Sequence, residues 1–428
     1  MSVAFGLDFG TSNSSLAACV DGNAELLDID RDNPVKMSLK SVLYFLRENK
    51  ETRSFVGFDA VRKYIETEAA GRYMQSIKSF LPDQTFDKTE IFNKYYELEE
   101  LIGFILRTIK KRGEEILNSD VNSVVLGRPV SFSEDPEKDK LAEKRLYKAA
   151  QLAGFKEIIF QLEPVAAALS FENNLEYGEE KNVLVGDFGA GTSDFTILRA
   201  SKNYQIKPDR SADILASDGV YIGGDLFDSD IMWEKICKYY GKDVKAKSLM
   251  SNNFASLPSD ITNKLKHWNL IPLLRSKNTL YSISNYKYLT DNDDKYLIQN
   301  LENLIKDNYG YMLFQAIENA KCELSNSDLS SVFLSNYDIL INETVLRSEF
   351  EKYITDKVLK IEECVKSVIK NAAISEDAID AVFLTGGSSY IPIIQKVFKD
   401  KFNPAIIKQS DAFTSVAYGL GLHAKLLL

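Results

Sequence analysis

Short apolar stretches separated by turn residues dominate the start of the chain, and they predict β-strands joined by tight turns. The stretches are "VAFGLDF", "SSLAACV" and "NAELLDI", and an Asp21-Gly22 pair separates the last two. A second group lies near the middle, where "NVLVGDF" and "SDFTIL" flank a glycine-rich turn. A further apolar run, "AVFLT", precedes a glycine pair close to the end. The pattern therefore predicts strands in both halves of the chain.

Helical patterns alternate with these strands. The stretch 52–118 favours helix, and "ELIGFILRTIKKRGEEIL" within it has apolar residues at helical spacing. A long amphipathic helix is predicted over about residues 135–152, and Gly154 is typical of the residue at which a helix ends. Further helices are predicted after Pro164, within the polar stretch 241–315, and in "SDAFTSVAYGLGLHAKLLL". Mixed strands and helices predict an α/β fold.

The composition adds to this pattern the class of protein to which the chain belongs. With 428 residues, 45% of them hydrophobic and 27% charged, the chain is long enough for two or more globular domains. No apolar run approaches the roughly 18 residues of a membrane span, and the start does not look like a secretory signal. The four cysteines are far apart without CxxC spacing, which favours a reducing compartment. We therefore expect a cytoplasmic protein with no membrane partner.

Charge and motifs exclude several classes of function. The formal net charge of −10 disfavours a nucleic-acid partner, because such surfaces cluster lysine and arginine. The two histidines, His267 and His423, are too few for most histidine-dependent hydrolases and metal sites. No GxxxxGK[ST] loop is present, "GAGTSD" departs from GxGxxG and leads into a strand, and Asp-Phe-Gly lacks the other protein-kinase motifs.

One motif occurs twice. "GLDFGTSNSS" around Asp8 returns as "VGDFGAGTSDFTIL" around Asp187, 187 − 8 = 179 residues later. A glycine turn between strands lets backbone N–H groups approach an anion, and carboxylates beside it suit magnesium held largely through water. Either hairpin alone has an ordinary structural explanation. Their joint occurrence favours a duplicated α/β lobe with a cleft between the copies.

With these motifs, and with "GRPVSF", "LEPVAAALSF", "IGGDLFD", "ENAKCELS" and "LTGGSSYIP" in the same order, the chain resembles a known family. The family is the ATPase domain of the seventy-kilodalton heat-shock (DnaK-type) chaperones, within the actin and sugar-kinase superfamily. "SIKSFL" and "GRPVSF" are most similar to its short stand-alone bacterial form (YegD-type). The resemblance implies an actin-like bilobed α/β fold, with two duplicated ribonuclease-H-like lobes around a nucleotide cleft.

The resemblance also implies roles at the phosphates. The two turns would hold them through Gly10, Thr11, Ser12 and Asn13, and through Gly189, Ala190, Gly191 and Thr192. Magnesium would be positioned through water by Asp8, Asp187 and Asp194. The catalytic set would be Lys78, Glu163, Asp187 and Thr192. The Lys78 ammonium would neutralise charge on the transferred phosphoryl group, although a lysine or glutamate alone is more often a solvated surface residue.

For the nucleoside, the resemblance points to residues in the second half. They are Gly223 and Gly224, the helix face Glu318, Lys321 and Ser325, and the loop residues Gly386, Gly387, Ser388 and Tyr390. Cys322 and Tyr390 stand where the family has two arginines, so a cation–π contact to adenine is lost and base selectivity is open. Ala190 replaces a glycine and requires a negative φ.

We therefore expect lobe I over residues 1–181, completed by 411–428, lobe II over 182–410, and no substrate-binding domain. The expected function is that of a chaperone-like ATPase that hydrolyses Mg-ATP slowly and uses the nucleotide state as a conformational switch. Its cofactors would be ATP or ADP and Mg²⁺, with K⁺ left open, and any protein partner or client is unknown. The alternatives are a non-hydrolysing nucleotide-binding scaffold or filament protein, and a sugar-kinase-like phosphotransferase.

Overall fold

The computed structural model of the chain describes residues 2–33, 35–67, 70–205, 207, 209–247, 254–268, 270–336, 339–409 and 414–428. The strands are β1 (Val3–Phe9), β2 (Asn13–Val20), β3 (Asn23–Leu26), β4 (Ser38–Lys40), β5 (Leu43–Glu48), β6 (Glu51–Val56), β7 (Arg72–Met74), β8 (Lys88–Ile91), β9 (Lys94–Glu97), β10 (Ser123–Arg128), β11 (Glu157–Leu162), β12 (Lys181–Phe188), β13 (Ser193–Ala200), β14 (Ile214–Val220), β15 (Ala246–Lys247), β16 (Phe254–Ala255), β17 (Leu329–Asn336), β18 (Ile339–Leu346), β19 (Ala381–Thr385) and β20 (Ile407–Gln409).

The helices alternate with these strands along the chain. They are α1 (Phe58–Glu66), α2 (Leu98–Leu117), α3 (Pro136–Ala153), α4 (Glu163–Glu172), α5 (Gly224–Ile231), α6 (Ser259–Leu265), α7 (Lys277–Leu289), α8 (Lys295–Lys306), α9 (Gly310–Glu323), α10 (Arg347–Asn371), α11 (Pro392–Lys399) and α12 (Ser415–His423). This content confirms the predicted α/β class. None of the helices in the described part of the chain combines the length and apolar character that a membrane span needs.

The chain forms two compact units. The first contains Met1–Tyr221, Ile361–Ser389 and Gln395–Leu428, and the second contains Ile222–Lys360 and Tyr390–Ile394. The lobe division expected from the repeated motif stays a prediction. Its boundary between residues 410 and 411 lies outside the described residues.

Two sheets of the first unit have the same strand arrangement. One sheet has the order β11-β10-β1-β2-β3, with β4 beside β2. The other has the order β14-β13-β12-β19-β20, and the two orders correspond when one of them is read from its opposite edge. In each, an antiparallel hairpin contains the repeated motif, β1-β2 or β12-β13, and its first strand pairs in parallel with a later strand. The repeated sequence motif therefore occupies equivalent positions in two sheets.

Helices α4 and α12 pack between the inner faces of these sheets. A continuous core joins Ala4 of β1, Val185 of β12, Ala166 of α4 and Leu420 of α12. The outer face of the first sheet, including Phe5, packs in a separate core with α2 and α3. Helix α4 contains the run Ala166, Ala167 and Ala168, and α12 contains Gly419 and Gly421. These small residues allow a close approach of helix and sheet.

The prediction of helix throughout residues 52–118 is wrong. Strand β6 continues the hairpin that begins at β5, and β8 and β9 form another hairpin around Phe92 and Asn93, both with positive φ. Their short lengths and charged exposed faces leave little hydrophobic alternation for sequence analysis to detect. By contrast, the long helices α2 and α3 lie within one or two residues of their predicted positions, and Gly154 ends α3 with φ of 101°.

The second unit contains the helical stretch predicted between residues 241 and 315. Helices α6, α7, α8 and α9 account for most of this stretch in the described residues. Helix α9 packs against the β17-β18 hairpin and against α5. These contacts place the face of α9 that carries Lys321 next to the start of α5.

Candidate nucleotide and phosphate site

Strand alternation places the two repeated aspartates toward the same helical layer. Side chains two residues apart lie on one face of a strand. Asp8 therefore lies on the same face of its strand as Ala4, and Asp187 lies on the same face as Val183 and Val185. These are the inner faces of the two sheets. Each aspartate stands near the end of its strand, directly before a glycine turn. Glu163 begins α4, the helix that packs between those faces. The fold therefore collects three carboxylates at one end of the helical layer.

The first turn depends on glycine for steric reasons. A Cβ atom at Gly10 would lie 2.1 Å from the backbone oxygen of Asn13, so a side chain does not fit there. In the second turn, Ala190 does not adopt a positive φ, which meets the condition set by its methyl group. Turns of this kind let backbone N–H groups approach an anion.

Lys78 and Glu163 form an ion pair between distant parts of the chain. The Lys78 Nζ atom donates to Glu163 Oε1 at 2.9 Å, and the two side chains are only 11% and 12% exposed. Burial lowers the pKa of Lys78, but the charges of Glu163 and Asp8 outweigh it and the pKa is raised overall. Lys78 is therefore a cation held among carboxylates.

The three predicted magnesium ligands resist ionisation. Burial raises the pKa of Asp8 to about 8, and the charges of Glu163 and Asp187 add to this while Lys78 opposes it. Burial likewise raises the pKa of Asp187 to about 6, with a further increase from Glu163. It raises the pKa of Asp194 to about 7, against the hydrogen bond that Thr192 donates. One lysine does not neutralise this cluster of acids.

Two threonines hold the aspartates in place. Thr385 Oγ1 donates to Asp187 Oδ1 at 2.9 Å, and Thr192 Oγ1 donates to Asp194 Oδ2 at 2.8 Å. Asp187 is paired in the sheets with both Asp194 and Thr385, so strand register brings these side chains together. The hydroxyls fix the carboxylate orientations and leave one oxygen of each free of these bonds.

The donor set fits a hydrated divalent cation. Clustered carboxylates with raised pKa values gain charge compensation from a cation, and oxygen ligands are the type that magnesium prefers. In the described part of the chain, no three His, Cys, Asp or Glu side chains are grouped closely enough to bind a metal directly. The predicted role of Asp8, Asp187 and Asp194, which is to position magnesium through water, stays a prediction.

In the second unit, two of the predicted nucleoside residues meet. Lys321 Nζ donates to the backbone oxygen of Gly224 at 3.2 Å and to Asp228 at 2.8 Å. Burial raises the pKa of Asp228 to about 7, although Lys321 opposes it and Glu318 adds to it. This pair fixes Lys321 against the start of α5.

The remaining predicted nucleoside residues are distributed between the units. Gly386, Gly387 and Ser388 follow β19 in the first unit, whereas Gly223, Glu318, Ser325 and Tyr390 belong to the second. Cys322 and Tyr390 are both exposed. Their predicted contacts with a nucleoside stay predictions.

Two residues that sequence analysis did not single out take part in these arrangements, and a third holds the segment that follows Lys78. They are Thr385, Asp228 and Arg145, a buried arginine on α3. Thr385 directly precedes Gly386, and Asp228 ends "GGDLFD", so both stand inside motifs that had been noted. Arg145 lies in no motif, and no pattern in the sequence indicates it.

Comparisons with known proteins agree with these observations. A family model described as "Hsp70 protein" matches residues 4–261 and 296–428. The chaperone protein DnaK of Thermosipho melanesiensis is 26% identical over an alignment of 434 positions, which covers 99% of this chain and 59% of that protein. The chaperone protein DnaK of Thermotoga maritima is also 26% identical, over 435 residues, with 99% and 59% of the two chains covered.

The alignments cover nearly all of this chain but only part of each relative. The DnaK of Thermosipho africanus, 26% identical, is covered over 58% of its length, whereas 99% of this chain is aligned. The chain thus spans somewhat less than three fifths of the relatives it matches. What those proteins do as a whole is a property of longer chains.

Proposed function

Because the chain belongs to the Hsp70 family, we propose that it is a chaperone-like ATP-binding protein that hydrolyses Mg-ATP slowly. One observation carries this proposal: the buried Lys78–Glu163 pair stands among the acids that follow or flank two equivalent glycine turns. A phosphoryl-transfer site needs backbone donors, a fixed cation and carboxylates in this combination.

The two glycine turns would bind the phosphates. Gly10, Thr11, Ser12 and Asn13 form the first turn, and Gly189, Ala190, Gly191 and Thr192 form the second. Their equivalent positions in two sheets of the same strand order support an actin-like architecture with duplicated ribonuclease-H-like halves. Magnesium, when bound through water to Asp8, Asp187 and Asp194, would neutralise phosphate charge.

Lys78 would act on the charge that develops during hydrolysis. Its ammonium is fixed by Glu163, so little reorganisation is needed when negative charge builds up on the phosphoryl oxygens. Glu163 and Asp187 would accept hydrogen bonds from the attacking water, and Thr385 keeps the Asp187 carboxylate in orientation. Thr192 would hold Asp194 and face the phosphates.

The nucleotide state would then act as a conformational switch, as in the wider family of nucleotide-dependent switches. Glu318, Lys321 and Ser325 would contact the nucleoside, with Gly223, Gly224, Gly386, Gly387, Ser388 and Tyr390. A cytoplasmic location belongs to this proposal.

The test is phosphate release from Mg-ATP by the wild-type protein and by Lys78→Ala. We expect the substitution to lower the rate constant by about 10²- to 10³-fold, because it removes a preorganised charge from the transition state. Binding of a fluorescent ADP analogue should persist, since the turns are intact. Lys111→Ala is the matched control, because Lys111 is 75% exposed and pairs with Glu115 at the surface.

Two outcomes would contradict the proposal in different ways. Tight ADP binding without any phosphate release by the wild-type protein would indicate a non-hydrolysing scaffold. Release that Lys78→Ala leaves unchanged would remove Lys78 from the catalytic set.

A further inference from the structure

Arg145 is a buried arginine whose two terminal guanidinium nitrogens donate to backbone oxygens. The residue is 9% exposed and lies on the inner side of α3. Its Nη1 atom donates to the carbonyl oxygens of Leu81 at 3.0 Å and Asp83 at 2.8 Å, and more weakly to Phe80 at 3.3 Å. Its Nη2 atom donates to the carbonyl oxygen of Phe86 at 2.7 Å. One side chain thus fastens the segment 80–86.

That segment begins two residues after Lys78. Lys78 lies in a short 3₁₀ turn, Ile77–Phe80, and the turn is anchored on either side of Lys78 by the buried side chains of Ile77 and Leu81. The carbonyl oxygens of Phe80, the last residue of this turn, and of Leu81, which follows it, accept hydrogen bonds from Arg145. Arg145 therefore holds the turn at the end that is next to Lys78.

The guanidinium acts here through geometry rather than through an ion pair. In the described part of the chain, no carboxylate forms a salt bridge with Arg145. Its planar group presents several donors in fixed directions, and those directions determine where four carbonyl oxygens stand. A lysine at this position has three donors on one atom and cannot hold carbonyls spread over seven residues.

Helix α3 does not need Arg145 for its own packing. The helix buries Ala142, Leu146, Ala149, Ala150 and Ala153, which form its apolar face toward the core. Loss of the guanidinium should therefore loosen the segment that it holds before it loosens the helix that carries it.

We propose that Arg145 is a positioning residue that fixes Lys78 against Glu163. The inference rests on the proposed ATPase function for its catalytic meaning, but not for its structural content. A shift of the 3₁₀ turn moves Lys78 Nζ away from Glu163 Oε1 and away from the place where phosphoryl charge would develop. Arg145 acts through the backbone of the segment 80–86, to which its hydrogen bonds go.

The first test measures the Lys78 amine and needs no enzymatic activity. Acetylation of Lys78 by an amine-reactive reagent is followed by peptide mass spectrometry in the wild type, Arg145→Met and Arg145→Lys. We expect the labelling rate in both variants to rise by about fivefold or more, because the buried ion pair opens more often. Lys111 serves as the exposed reference within each sample.

The matched control variant is Arg107→Met. Arg107 also donates to a backbone carbonyl, that of Leu152, but it is exposed and does not contact the segment 80–86. It should leave Lys78 labelling unchanged. Circular dichroism checks that each variant is folded. If Arg145→Met does not fold, the labelling rate of Lys78 in Arg145→Lys tests the proposal. Lys78 labelling that stays at the wild-type rate in a folded Arg145 variant overturns the proposal.

The second test is a double-mutant cycle on phosphate release. Arg145→Met should lower kcat by about 10- to 100-fold with a smaller change in KM, as expected for a misplaced catalytic group. In a Lys78→Ala background the same substitution should have little further effect, because its effect passes through Lys78. Equal losses in both backgrounds indicate a general structural role and overturn the proposal.

The two proposals fail in separate ways. A wild-type protein without phosphate release contradicts the ATPase function, and the labelling rates then decide on Arg145 alone. Normal phosphate release with additive effects contradicts the positioning role and leaves the ATPase function in place.

Discussion

The carboxyl groups around Lys78 show how neighbouring side chains set the protonation of one another. Asp8, with its pKa raised to about 8, is uncharged at neutral pH in much of the population, whereas Asp187, with a pKa of about 6, is mostly charged. Such a site holds its charges at an energetic cost that a bound cation would offset. Strongly shifted pKa values of this kind are typical of functional sites.

A second buried group, His423, leads to a prediction about stability. The side chain lies within the core between the sheets, 3% exposed, with the Gln161 amide nitrogen 3.1 Å from its Nε2 atom. Burial lowers its pKa to about 4, and the charge of Arg210 contributes. The unfolded chain has the ordinary value near 6.5, so between about pH 6.5 and pH 4 the unfolded state binds more protons.

The contribution of neutral His423 is therefore fully present above pH 6.5 and is lost as the pH falls toward 4. We expect the free energy of unfolding to fall by about 2–3 kcal/mol between pH 7 and pH 4.5 because of this residue. Urea denaturation of wild type and His423→Gln at both pH values measures the difference. His267→Gln is the control, since His267 is only partly buried and contacts the Ser229 hydroxyl.

An equal pH dependence in the wild type and in His423→Gln would show that His423 titrates normally. The carboxylates that also titrate in this range are common to both proteins and cancel in the comparison.

Helices α4 and α12 pack with their backbones in close contact. A Cβ atom at Gly419 of α12 would lie 1.8 Å from the backbone oxygen of Ala166 in α4 and 2.5 Å from its carbonyl carbon. Backbone atoms cannot yield as a flexible side chain does, so a methyl group would force the helices apart. The glycine is thus required by packing between two elements far apart in sequence.

We expect Gly419→Ala to destabilise the first unit by about 3 kcal/mol or more, the upper range for overpacking in a core. Gly103→Ala in α2 is the matched control, because its Cβ would meet the Leu152 side chain at 3.3 Å, and its helix gains propensity from alanine. The control should change stability by about 1 kcal/mol or less. Thermal or urea unfolding of both variants measures the difference, and equal effects would contradict the tight crossing.

Predictions of individual elements succeeded where the hydrophobic repeat was long. Helix α3, with eighteen residues, an Asp135 cap, a proline in its first turn and a terminal Gly154, carries clear local signals at both of its ends. Strands β6, β8 and β9 carry little signal, because each buries at most one or two residues and pairs with a neighbour close in sequence. Burial decides strand formation there, and burial is not a local property.

For the chain as a whole, the phosphate turns, the predicted magnesium ligands and Lys78 all belong to the first unit. If this site binds nucleotide, Mg-ADP should stabilise the folded protein by mass action, by about 2.7 kcal/mol at a concentration one hundred times Kd. Differential scanning fluorimetry with Mg-ADP, Mg²⁺ alone and ADP with EDTA measures the shift. We expect a large shift only with Mg-ADP.

Asp187→Asn should remove most of this shift, because it deletes a charge that would face the hydrated cation. Asp377→Asn, at an exposed position, should keep it. A shift that survives in Asp187→Asn would place the nucleotide elsewhere.

The amino-acid sequence was sufficient for the repeated hairpin, the strongly periodic helices and the family, because each depends on short-range patterns or on motifs in a fixed order. It was sufficient to name Lys78 and Glu163 as candidates, but not to show that they meet. Their contact joins residues 85 positions apart and depends on how α4 packs between two sheets. The same reason applies to Arg145, whose four carbonyl partners lie about sixty residues away and become neighbours only when α3 packs onto the core.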